Sequence, residues 1–355
     1  MKYRTVELGS LISSAKAVRC GEDEYPVLSM TMHNGLVFQD EKFKKAIASK
    51  DTSNYKVVYR NQLVISFPID EGVLAAQRIA DAGIVSPAYG VWDIDQEKIL
   101  PEFLEYSLRC DRAISYYKSK LRGSTARRRS LPTPTLLAFM VPLPNLDEQA
   151  LILEIIHKAR RLIDDKHKEI QLLDDLIKAR FVEMFGNPIT NTKELETMSL
   201  KDVLVLKAGD FTAASDISDE PNEINKYPCY GGNGIRGYVA EYNQKGEYSL
   251  IGRQGALSGN VQYAKGQFKN TEHALLVTPI IEMNSVWLNH LLINLDLKRY
   301  QTGAAQPGLS VKNLQEIQII TVPIDEQKSF ADFVQQVDKS KFIAKEKVNV
   351  MYHYY

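Results

Sequence analysis

The chain has 355 residues, and those able to do covalent or metal chemistry do not stand at the spacings such chemistry needs. Glu326-Gln327-Lys328 has the outline of the Glu-x-Lys of a metal-dependent nuclease. A second copy of the same segment reads Glu148-Gln149-Ala150, without the lysine, and both stand where a long helix is expected to begin. We therefore read them as helix starts. An amino-methyltransferase grips its target amino group with Asn/Asp-Pro-Pro-aromatic, and Asn187-Pro188-Ile189 is not that element. The chain has neither a Gly-x-x-x-x-Gly-Lys-Ser/Thr loop to cradle phosphates nor a Gly-x-Ser-x-Gly elbow to raise a nucleophile. His157 and His167 lie ten residues apart on one expected helix and would not chelate one ion. Cys20, Cys110 and Cys229 fit neither a disulfide framework nor a metal spacing, which suits a reduced, cytoplasmic protein. No catalytic residue and no metal ligand is assigned, and no apolar run is long enough to span a membrane.

Side chains suited to recognition are more telling. Basic and acidic residues balance at 44 each, which argues against a generic nucleic-acid binder. The charge is unevenly spread, however. Between Asp111 and Asp147 there is no acidic residue, whereas Arg112, Lys118, Lys120, Arg122, Arg127, Arg128 and Arg129 all fall there. Such a stretch either supplies local phosphate contacts or is a solvated charge run.

The elements that must position these groups come as an internal repeat with a period near 180 residues. Val141-Pro142-Leu143-Pro144-Asn145-Leu146-Asp147-Glu148-Gln149 returns as Ile319-Ile320-Thr321-Val322-Pro323-Ile324-Asp325-Glu326-Gln327. Upstream, the helix-like Pro101–Leu108 matches Ser285–Leu292, with Pro101 suited to a first helical position and Ser285 to an N-cap. Polar turns follow at Gly123–Ala126 and Gly303–Gln306, and Val6-Glu7-Leu8-Gly9 matches Met198-Ser199-Leu200-Lys201. Each copy opens with short strands and glycine-rich turns, clearest in the second at Gly231–Gly234, Tyr238–Tyr242, Tyr248–Ile251 and His273–Val277. Asn145 and Glu148 have capping-box spacing at the head of a helix that should end at Gly186-Asn187-Pro188. A 4-3 apolar seam runs along it through Ile152, Ile156, Ile163, Ile170, Leu173 and Ile177. Phe330, Val334, Val337, Ala344, Val348 and Met351 form a second seam, on a last helix expected to be about half as long. The two should pack as an antiparallel pair.

In these residues the chain resembles the specificity subunits of type I restriction-modification systems. The most specific segment is Tyr300–Leu314 leading into Val322–Gln327, supported by Tyr227–Gly232 with Leu250–Gly255 and, in the first copy, by Tyr25–Ser29 with Ser86–Tyr89. The resemblance implies an α+β fold of two tandem α/β target recognition domains, separated by long helices that pair as an antiparallel coiled coil. We place the first domain at 1–145, the central helix at 146–187, the second domain at 188–324 and the shortened C-terminal helix at 325–355. The resemblance also implies that each domain reads one half of a split DNA site. The helices act as ruler and as seat for two modification methyltransferase subunits, which bind S-adenosylmethionine and methylate adenine. A separate restriction and translocase subunit uses ATP and Mg. The chain itself is expected to need no cofactor and to contact double-stranded DNA, not a membrane.

On that reading Lys120, Arg122, Ser124, Thr125, Arg127, Arg128 and Arg129 are the phosphate-facing set of the first copy. Arg236, Arg253, Gln254, Lys269, Thr271 and Gln306 are the base-reading candidates of the second, since Arg and Gln bond bidentately to guanine and adenine. Gly252 and Gly255 would allow a close backbone approach. Two other readings stay open: a helical adaptor whose heads bind protein, and a fused restriction-methylation enzyme. The truncated last helix also leaves self-association through the unpaired seam.

Overall fold

A computed structural model describes residues 3–32, 34–42, 51–121, 131–303 and 308–353 of the chain. It divides into two compact units, Met1–Arg161 and Leu162–Tyr355, and the division falls inside one helix. Among the described residues no helix is long and apolar enough to cross a membrane.

The first unit begins with β1 (Thr5–Glu7), β2 (Ile12–Ser14), β3 (Leu28–Thr31), β4 (Gly35–Phe38), the short α1 (Gln39–Lys42) and β5 (Lys56–Tyr59). It continues with β6 (Leu63–Ile65), β7 (Leu74–Ala76), β8 (Ala82–Val85) and β9 (Gly90–Ile94). Then come α2 (Pro101–Arg109), α3 (Asp111–Lys120), α4 (Thr133–Leu137), β10 (Met140–Pro142) and the first part of α5 (Leu146–Phe185). The strands β2-β9-β6-β7 form one antiparallel sheet, with β3–β4, β5–β8 and β1–β10 as separate antiparallel pairs. Leu8, Leu63, Leu74, Leu104, Leu108, Tyr117 and Val141 make the main core, where the sheet meets α2 and α3.

The second unit holds the rest of α5, then β11 (Thr197–Ser199), α6 (Leu200–Val203), β12 (Leu204–Ala208), β13 (Tyr227–Gly231) and β14 (Gly234–Val239). They are followed by β15 (Gln244–Gly252), β16 (Val261–Asn270), β17 (Ala274–Pro279), α7 (Ser285–Asn294), α8 (Val311–Gln315), β18 (Gln318–Ile320) and α9 (Ile324–His353). Six strands form a sheet in the order β12-β17-β15-β16-β13-β14, antiparallel except between β13 and β16. Because side chains alternate along a strand, β17 serves two cores at once. Leu275 and Val277 pack toward the helices, while Ala274 and Leu276 join Leu250, Ala264 and Phe268 on the other face.

The repeat is a repeat of hydrogen bonds. β1 pairs with β10 as β11 pairs with β18, with Val6 opposite Val141 and Met198 opposite Ile319. The Leu8 N–H donates to Phe139 O and that of Leu200 to Ile317 O, while the Leu143 N–H donates to Arg4 O and that of Thr321 to Glu196 O, each at 2.8 Å. In each copy a buried glutamine ties the start of the helix after the sheet to the start of the long helix. Gln149 Nε2 donates to Pro144 O and Lys98 O, and its Oε1 accepts from the Leu100 N–H just before α2. Gln327 Nε2 donates to Val322 O, and its Oε1 accepts from the Asn284 N–H just before α7. Glu326 and Gln327 lie in the first turn of α9.

The capping box is made in full: Asn145 N–H donates to Glu148 Oε2 and Glu148 N–H to Asn145 Oδ1. At α7 the cap is Asn284 rather than Ser285, its Oδ1 accepting from Val286 and Trp287 N–H. The helix α5 has 40 residues and stops at Gly186, whose φ of 74° favours glycine. Its seam residues Ile163 and Ile177 are buried, and Ile152, Ile156, Ile170 and Leu173 are half-buried. On α9, Val334, Val337 and Val348 are all buried. Within the second unit, Phe181 of α5 meets Phe330 of α9 edge-on at 5.4 Å, and Asp174 pairs with Lys341 at 2.6 Å. The contacts step forward along one helix and back along the other, so the two run antiparallel. The helix α9 has 30 described residues, three quarters of the 40 of α5 and not half.

Candidate nucleic-acid interface

The sheet of the second unit ends in a cleft of about 570 Å³. Its walls are the Gly231–Gly234 turn, Arg236 on β14, the Gln254–Leu257 loop after β15, and His273 just before β17. Two loops are brought face to face by close backbone approach. A Cβ on Gly252 would lie 2.2 Å from Gly232 O, so only glycine lets the two chains pass. The close approach expected of Gly252 is thus made to this chain's own backbone. Gly255, at φ 77°, turns the loop back so that Ser258 N–H donates to Gly255 O.

Further bonds hold the loops. Arg253 N–H donates to His273 O, Leu309 N–H to Arg253 O, and Asn260 Nδ2 to Asn233 Oδ1 at 2.9 Å. Thr302 and Gly308 exchange backbone bonds, and Gly308 also bridges to Gln254. Gly308, bonded to Thr302, thus lies beside Gln254. Gln306 itself lies outside the described residues, as do Arg122, Ser124, Thr125, Arg127, Arg128 and Arg129 of the first copy. Lys120 is described, exposed at the end of α3.

The structure brings Arg236, Gln254 and the glycine turn to one cleft, with Arg253 at its edge. Arg236 is exposed and Arg253 half-buried, and no hydrogen bond or ion pair holds either guanidinium among the described residues. Lys269 is half-buried and paired with Asp210 at 3.5 Å. Asn243, then Lys269, hold the Asp210 carboxyl below its usual range. Beneath the cleft, burial pushes the Cys229 thiol up, against the opposing pull of Arg236 and Lys269. Thr271 is a correction: it is fully buried and its hydroxyl donates to Tyr230 O at 2.8 Å, where it joins the sheet and cannot meet a base. His273 was not among the expected residues, because His273-Ala274-Leu275-Leu276-Val277 reads as one apolar strand. Its ring faces Gln254 Oε1 at 3.0 Å and Glu272 Oε1 at 3.2 Å. Among the described residues no group of three His, Cys, Asp or Glu could hold a metal ion.

What this arrangement can do is donate and accept hydrogen bonds at an open mouth carrying two unpaired cations, which suits an anionic, edge-presenting partner such as DNA. Residues 192–350 match the family described as type I restriction modification DNA specificity domain. Over 211 residues the chain is 36% identical to the type I restriction enzyme EcoprrI specificity subunit of Escherichia coli, covering 56% of this chain and 52% of that one. The chain thus spans about half the length of that curated relative. In fold it is similar to the type I restriction-modification S subunit from M. genitalium, at a TM-score of 0.56 and 17% identity over 98% of this chain and 92% of that one. A chain solved for complex assembly and conformational transition of a type I R-M system gives 0.61 and 16%, covering 99% and 95%. Residues 192–350 thus match that family's model, and the fold of nearly the whole chain is similar to that of a type I restriction-modification S subunit.

Proposed function

We propose that the chain is the non-catalytic sequence reader of a type I restriction-modification complex, each copy of the repeat reading one half of a split, asymmetric DNA site. The observation that carries this reading is the duplicated frame: the same strand pairing, paired backbone bonds and buried glutamine occur in both copies, around unlike strand regions. A repeated frame gives two equivalent heads, and unlike sheets give them different targets. Phosphate contacts would come from Lys120 and the arginines after it, and base contacts in the second copy from Arg236, Arg253 and Gln254.

The helices α5 and α9 are the spacer, paired as an antiparallel coiled coil, and the seat of two methyltransferase subunits. Large apolar side chains support the seat. On α5 Leu172 is 67% exposed, and on α9 Phe342 and Ile343 are 64% and 55% exposed, on faces the mutual seam does not use. S-adenosylmethionine would sit on the methyltransferase subunits, and ATP with Mg on the restriction subunit, all in the cytoplasm.

The test is to co-express the chain with its cognate methyltransferase subunit and map adenine methylation by single-molecule sequencing. A split, asymmetric motif is expected. A complex that methylates no defined motif, or no complex at all, would count against the reading. A protein-binding adaptor would show no salt-dependent affinity for DNA, since it neutralises no phosphates.

A further inference from the structure

We infer that Gln254 is a specificity-determining residue of the second copy, and that His273 is the positioning residue deciding which end of its carboxamide faces the cleft. The inference rests on the proposed DNA-reading role. The geometry is a three-residue chain. Glu272 Oε1 lies 3.2 Å from His273 Nε2, and His273 Nδ1 lies 3.0 Å from Gln254 Oε1. Both ring nitrogens therefore face oxygens. An imidazolium donates to both at once, whereas a neutral ring carries only one N–H. The other carboxylate oxygen, Glu272 Oε2, is buried with no hydrogen-bond partner among the described residues, so the ring is what answers its charge.

Two states follow from this chain. With the ring charged, Gln254 turns its oxygen inward and its amino group leads into the cleft. That end seeks acceptors, which the major groove presents as N7, O6 or O4. With the ring neutral, Nε2–H keeps the bond to Glu272, and Nδ1 becomes a lone pair. Half a turn of the carboxamide then lets its amino group donate to Nδ1 and sends the oxygen outward. That end seeks the exocyclic amino groups of adenine or cytosine. Imidazole is the side chain whose charge ordinarily changes between pH 5 and 8.

The charged groups around the ring are Glu272 beside it, Arg236 from β14 on the cleft wall, and Arg253, whose backbone N–H donates to His273 O. Lys269 at the end of β16 and Asp210 after β12 are paired with each other.

The experiment uses the complex of the full chain with its methyltransferase. It is presented with a pool of duplexes randomised in the half-site read by the second copy, selected at pH 6 and at pH 8. Preference at one base pair should move by about tenfold, from an acceptor edge at pH 6 toward an amino edge at pH 8. His273→Asn should abolish the movement and leave one preference at both pH values, an effect that loss of a merely structural contact would not produce. The exposed Gln254→Glu variant does not depend on His273 folding correctly. It presents oxygen at both ends and should select an amino edge at both pH values. A clear motif with the same preference at pH 6 and 8 would overturn the inference and leave the DNA-reading role standing. No motif at either pH would overturn both.

Discussion

Gln149 and Gln327 show how much one buried amide can organise. Each carries a donor and an acceptor into the interior, and each finds backbone partners on segments distant in sequence. Removing one leaves a buried N–H and a buried carbonyl without partners, at about 1–3 kcal/mol. Gln327→Leu should therefore lower stability by that amount in urea titration, although the replacement is more apolar. Unchanged stability would mean that water takes over both bonds. The pair Glu-Gln stood out in the sequence only as a recurrence, and its outline first suggested metal chemistry. Gln254, on a glycine-rich loop, and Arg236, on the strand after a glycine turn, could be picked out by residue type, because Arg and Gln bond bidentately to base edges. Thr271 could not be judged that way: a hydroxyl bonded inward to Tyr230 and one waiting for a base look alike in a sequence. His273 was hidden for the opposite reason, by the apolar strand that follows it.

At the scale of elements, the helices were the readable part, since a 3.5-residue apolar period survives whatever else packs nearby. The strands of the first copy were less so, because three- to five-residue strands carry too little alternation to mark their ends. Where α5, α7 and α9 converge, Phe181, Phe185, Trp287 and Phe330 stack edge to face at 5.1–6.0 Å, all fully buried. Phe330→Ala should cost about 3–5 kcal/mol in chemical denaturation, as transfer and cavity terms add. His290 of α7 also packs on Phe330, and burial pushes its imidazole down to about 4, with Lys341 adding to this and Asp338 and Asp174 opposing. An unfolded chain takes up that proton near the ordinary histidine value, while the folded chain resists until about pH 4. The associated stability is complete above the ordinary value and is lost as pH falls from there toward 4, by roughly 3 kcal/mol in all. Urea midpoints for wild type and His290→Phe at pH 7.5 and pH 5 check the sign: the variant should lose less on acidification. On the outer face, Leu172→Glu should leave the melting temperature unchanged yet reduce co-purification with the methyltransferase. If the complex survives intact, the seat lies elsewhere.

At the scale of the whole molecule, duplication separates what must stay constant from what is free to change. The frame of β1–β10 and β11–β18 with its buried glutamines is common to both copies, so under the proposed function it would position a head without choosing a target. The cleft residues belong to the second copy alone. Reading by one head should therefore be separable from reading by the other. Arg236→Ala and Arg253→Ala, assayed by methylation mapping of the assembled complex, should relax one half of the motif by about 1–3 kcal/mol of discrimination per lost base contact. The other half and the spacing between halves should be unchanged. Lys120→Ala should behave differently, weakening binding to all sequences about equally and making its salt dependence shallower, as expected for a phosphate contact. If the cleft variants instead weakened both halves together, the arginines would be phosphate contacts too, and base reading in the second copy would pass to Gln254 and its neighbours.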